Sequence, residues 1–257
     1  MPSNCLTGDA MYRSSLDTPA WLTPIADEAA SVERTVREVG TRDGEYLRHV
    51  IQTLLQRRQD LYATGVVLLV VRALRGSVPN DAIRFATAIR LVVVAGLAHR
   101  QAGPTVTLVP EEQPRTDNRL VVLAGDYLYS QAACITAELR NLAVMATLAE
   151  GIKAQCRTES ARWASHTAAA GTPGLYTLCA CGAGNLVGCN AARLDELAEY
   201  GGALDLISAG TDGGVREARD RSALLRSFGD SYERACLINL LDALEHQATR
   251  TVGEEWL

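Results

Sequence analysis

The chain has 257 residues, 47% of them hydrophobic, 21% charged and 5% aromatic, which allows a sizeable core and excludes a disordered, collagen-like or disulfide-dense class. Its formal charge of −5 argues against a general affinity for nucleic acid or anionic membrane. Of the 25 Lys+Arg only Lys153 is a lysine, so chemistry that needs several lysines is excluded as well.

Residues 1–25 mix Ser, Thr, Pro and Trp without periodicity and read as a loose N-terminal arm, and 26–257 as one helical domain. The opening Met1–Cys5 lacks the basic patch and apolar core of a secretory signal. The seven cysteines are an odd number in a composition unlike a disulfide scaffold, which places the chain in a reducing cytoplasm with most cysteines as small core residues.

From Ala26 the pattern is helical. Tyr46, Val50, Ile51, Leu54 and Leu55 share one helix face, and Leu61–Leu74 is apolar almost all round, as in a central buried helix. Pro79 opens the next helix. Prolines and charges between Gly103 and Asn118 mark a surface loop. A long helical region is expected from about Leu120 to Ala164 with a break near Gly151, followed by helices from Leu175, over Ala191–Leu206 and over Gly229–Gln247. The expected fold is all-α, a single-domain bundle of about ten helices. Its longest apolar runs, Gly65–Val71 and Leu91–Ala98, fall short of the roughly 20 residues of a membrane helix, so no membrane insertion is expected.

Few motifs carry chemistry. Cys179-x-Cys181 with Cys189 has too short a gap for paired zinc thiolates and reads as core packing. Gly182-Ala183-Gly184-Asn185-Leu186-Val187-Gly188 misses the third glycine of a dinucleotide loop by one position and lacks its strand–helix setting, and suits close helix contact. His49, His99, His166 and His246 stand singly. Asp195 and Glu199 share a helix face that reads as solvated.

The informative stretch is Asn118-Arg119-Leu120-Val121-Val122-Leu123-Ala124-Gly125-Asp126-Tyr127-Leu128-Tyr129-Ser130-Gln131-Ala132. An apolar run, Gly-Asp, then aromatic and small residues, in an all-helical chain, resembles the trans-polyprenyl diphosphate synthases. Gln101-Ala102-Gly103-Pro104-Thr105-Val106, then Ser165 to Ala183, and Gly201-Gly202-Ala203-Leu204-Asp205-Leu206 follow the family's order, so the resemblance covers about residues 45 to 210. It implies an isoprenoid-synthase-like helical bundle in which Gly125 and Asp126 are structural motif residues.

Active members of that family hold magnesium on two aspartate-rich motifs on facing helices, which neutralise the allylic diphosphate. At the first motif this chain has Leu91 to Gln101 without an acid; at the second it has Asp205-Leu206-Ile207-Ser208-Ala209-Gly210-Thr211-Asp212. No Asp-Asp pair occurs anywhere, and the family's phosphate-binding lysines correspond at best to Arg57 and Arg58, or to nothing. Arg115 is a further isolated cation.

Losing even one preorganised donor to a charged transition state costs on the order of 3 kcal/mol, and several are missing together. The resemblance therefore implies a noncatalytic small subunit of a heterodimeric polyprenyl diphosphate synthase that influences product chain length. No residue of this chain is expected to be catalytic or to bind metal, and Mg2+ would sit in the catalytic partner. Family members pair through helices near the Gly-Asp element, which makes Leu123, Tyr127, Ala133 and Leu139 the interface candidates. The alternatives are a divergent prenyltransferase or terpene cyclase using Asp195, Glu199, Asp205 and Asp212, or a homodimer that binds an isoprenoid.

Overall fold

The computed structural model describes residues 19–41, 45–56, 61–101, 118–163, 174–208 and 231–254. Among these residues there is no strand. They form a 3-10 turn, Thr23–Ile25, and nine α-helices: α1 Ala26–Thr41, α2 Glu45–Gln56, α3 Tyr62–Arg75, α4 Asn80–Gln101, α5 Asn118–Glu138, α6 Leu142–Trp163, α7 Leu175–Leu186, α8 Ala191–Ser208 and α9 Tyr232–Glu254.

Burial explains the placement of the central helices. Every residue of α3 from Ala63 to Val71 is buried, which is why its hydrophobicity runs all round instead of down one face. Gly76 ends that helix at φ 74° and donates its amide to the Arg72 carbonyl at 2.7 Å, a left-handed cap that glycine adopts without a Cβ penalty. α4 is buried at every residue from Phe85 to Val92, with Phe85, Ala86, Ala88 and Leu91 all at 0% exposure. The runs Val66–Val71 and Leu91–Val94 are thus helical, as their embedding in longer periodic segments predicts.

Two expectations are corrected. The helix expected to run from Leu120 to about Ala164 breaks at 139–141 and not near Gly151, which is buried in mid-α6 with Leu178 in ordinary contact. Arg140 takes φ 53°, and the Asn141 side-chain oxygen accepts the amides of Ala143 (3.1 Å) and Val144 (3.2 Å), which starts a new helix. The arm expected to be loose is docked at its end: Trp21 and Ile25 are buried, and Trp21 stacks on Tyr62 at 5.3 Å over Gly65. Residues 1–18 lie outside the described residues.

Helix directions follow from the contacts. A Cβ on Gly182 would strike Phe85 and approach Thr147, while Gly151 faces Leu178, so α7 runs against α4 and α6. Gly201 lies against the backbone of α7, where a Cβ would come 2.7 Å from the Thr177 amide nitrogen and the Tyr176 carbonyl oxygen; Gly184 meets Leu197 and Leu194. α7 and α8 are therefore antiparallel and unusually close, the use expected of the Gly-Ala-Gly segment. The C-terminal ends of α4, α6 and α8 and the start of α7 meet at one end of the bundle. α9 is tied on by Tyr200 Oη donating to the Leu237 carbonyl (3.0 Å) and Tyr62 Oη donating to the Ala243 carbonyl (3.3 Å).

Two described helices, Asn80–Arg100 and Arg119–Glu138, are long and apolar enough to cross a membrane by length and composition alone, a test that the core helix of a soluble protein also passes. The α4 window is 72% buried inside the protein, as befits a core helix, whereas the α5 window is only 33% buried.

Candidate functional site

The bundle end shared by α4, α6, α7 and α8 holds the acid-free stretch of α4 and, on α8, Asp205. On α4, Leu91, Val94, Ala95 and Ala98 have no exposed surface and Val92 has 1%. Water does not reach these side chains, which are part of the core, while Val93 and Leu97 between them are half-buried. Just before this segment, the Arg90 Nε donates to Glu33 Oε1 at 2.6 Å, a buried ion pair joining α4 to α1. Within it, the Gln155 amide of α6 lies directly on Gly96, and its carbonyl oxygen is buried without a hydrogen-bond partner. The sequence reading missed Gln155; its only signal was a polar residue four positions after buried Gly151 on the inner flank of α6.

On α8, Asp205 faces the start of α7. Its Oδ1 accepts the Tyr176 amide at 2.9 Å, and its Oδ2 accepts the Thr177 amide at 3.0 Å and the Thr177 hydroxyl at 2.7 Å. Gly174 provides the space, since a Cβ there would collide with the carboxylate. α7 has no side-chain cap of its own at Gly174, so Asp205 supplies one from another helix. Burial pushes the carboxyl above its ordinary range, against the lowering effect of the bonds from Thr177, Tyr176 and Gly174.

A raised carboxyl binds its proton more tightly folded than unfolded. Its contribution is fully present below the ordinary aspartate value of about 3.9 and is lost as pH rises through the folded value. Urea midpoints of wild type and Asp205→Asn across mildly acidic pH check this. The wild type is expected to lose stability relative to the variant as pH rises through that window; a relative gain would contradict the assignment.

The remaining acids do not assemble. Asp195 and Glu199 are exposed on α8, the solvated face the sequence suggested. Among the described residues no three His, Cys, Asp or Glu side chains are grouped to hold a metal ion. The described residues at this end therefore do not by themselves supply the grouped carboxylates of a magnesium-diphosphate centre. Asp212, Arg57, Arg58, Arg115 and His166 lie outside the described residues. Cys179 is buried and Cys181 and Cys189 half-buried; burial raises all three thiols, as suits packing residues and not reactive ones.

The Gly-Asp element sits between α4 and α5. His99, in the last turn of α4, stacks on Tyr129 at 5.6 Å and places Nε2 3.3 Å from Asp126 Oδ1. Gly125 makes this approach possible, because a Cβ would come 2.5 Å from His99 Nε2. The Asp126 carboxylate thus reaches from α5 across to a neighbouring helix. Tyr127, an interface candidate, is half-buried and donates its hydroxyl to the Val39 carbonyl at 3.1 Å, tying α5 to α1. Leu139 is also half-buried against the core. The other two candidates are outward: Leu123 is 56% exposed and Ala133 is exposed.

Leu123 and Ala133 belong to a wider surface. Cys134 and Ala137 on α5, and Leu142, Ala143, Met145, Ala146 and Ala149 on α6, are exposed, Leu142 at 81%. Three of the four exposed large hydrophobic residues among the described residues, Leu123, Leu142 and Met145, lie on these two helices. Exposed apolar side chains gathered on two helices mark interaction sites more often than isolated leucines do.

No protein-family model matches the chain, and no curated protein matches it in sequence. Solved structures do match. A decaprenyl diphosphate synthase from Rhodobacter capsulatus is similar with TM-score 0.69 at 16% identity, over 89% of this chain and 99% of that one. An FPP/GFPP synthase from Zymomonas mobilis has TM-score 0.65 and 18% identity, over 86% and 97%. A geranyl diphosphate synthase small subunit from Antirrhinum majus has TM-score 0.63 and 14% identity, over 86% and 97%. At such identity the likeness is one of fold: the chain has the all-α fold of the isoprenoid synthases.

Proposed function

We propose that this chain, with its isoprenoid synthase fold, is the noncatalytic small subunit of a heterodimeric polyprenyl diphosphate synthase, acting in the cytoplasm and influencing the chain length its partner makes. The observation that carries this reading is the burial of one side of α4: Leu91, Val94, Ala95 and Ala98, in the stretch where catalytic relatives need magnesium-binding carboxylates, are apolar and fully buried. Asp205, the acid at the facing stretch, is engaged in capping α7. In this reading Mg2+ and both diphosphates belong to the catalytic partner.

The exposed apolar face of α5 and α6 supports the partner half of the proposal. α5 is apolar enough to be a core helix, yet only 33% of its apolar window is buried within the protein. A partner helix pair would remove Leu123, Ala133, Leu142 and Met145 from water, worth about 25 cal/mol per Å2 of apolar surface before the costs of association. The similarity to a geranyl diphosphate synthase small subunit agrees with such a role without identifying the partner.

Co-expression with a polyprenyl diphosphate synthase from the same genome, followed by affinity capture, tests this. The wild type is expected to bring the synthase down, and Leu123→Glu/Leu142→Glu to lose at least tenfold of the captured partner while remaining folded. Capture unaffected by both charges would place the contact elsewhere. A wild type that elutes as a stable dimer of itself and captures no synthase would instead favour the homodimer reading.

A further inference from the structure

We draw no further inference here: the strongest candidate, the exposed apolar face shared by α5 and α6, belongs to the partner surface already proposed, and nothing in the structure shows what else covers it.

Discussion

Arg90→Met is expected to lower the unfolding free energy by about 3–5 kcal/mol, the usual cost of stranding one member of a buried ion pair. Arg90 is 2% and Glu33 8% exposed, and their side chains meet at 2.6 Å between α4 and α1. Removing the guanidinium leaves the buried Glu33 carboxylate without that donor. The double variant Glu33→Leu/Arg90→Met removes both charges and is expected to recover most of the loss, because two solvated ions no longer need to be brought inside. Denaturant unfolding of the two single variants and the double variant closes the cycle. Additive losses would mean that the pair contributes nothing as a pair.

Leu91→Asp is expected to be worse still. Truncating a buried leucine costs about 2–5 kcal/mol, and an unpaired carboxylate adds several more, so the sum approaches the whole stability of an ordinary domain. The variant should be insoluble or molten, with magnesium making no difference. Leu91→Asn has nearly the same shape without the charge; it should remain partly folded and equally indifferent to the ion. If Leu91→Asp were instead well folded and its melting temperature rose with added magnesium, α4 would border a hydrated metal site, and the description of Leu91 as part of the core would be wrong.

Much of the bundle was legible because burial leaves its period in the sequence. The all-round apolar run became α3, and the paired small residues of Gly182 to Gly184 became a close helix crossing. The break at Arg140 was not legible, since its left-handed residue is an arginine where glycine is the usual signal; Asn141 was the available clue, as a side chain that caps the helix after it. Trp21 reads as part of an arm because what buries it, Tyr62 and Gly65, is some forty residues away.

The same limit applies at the bundle end. The loss of paired acids was plain from the letters alone, but the use of Asp205 was not, because its hydrogen-bond partners stand 28 and 29 residues before it on another helix. Gly125 was singled out by resemblance; its physical reason, room for the His99 ring, needed the packing of α4 on α5. Of the four interface candidates, Leu123 and Ala133 share the outward face of α5, while Tyr127 and Leu139 lean toward the core. Helical spacing alone gives the faces but not which of them the rest of the chain covers.

The most direct measurement is product formation from labelled isopentenyl diphosphate and an allylic diphosphate in the presence of Mg2+, with the purified chain, with a captured synthase partner, and with both. The chain alone is expected to give no prenyl product above the protein-free control, and its addition to the partner to change the yield or the length of the product. Sustained turnover by the chain alone, abolished by chelating the metal, would contradict the account.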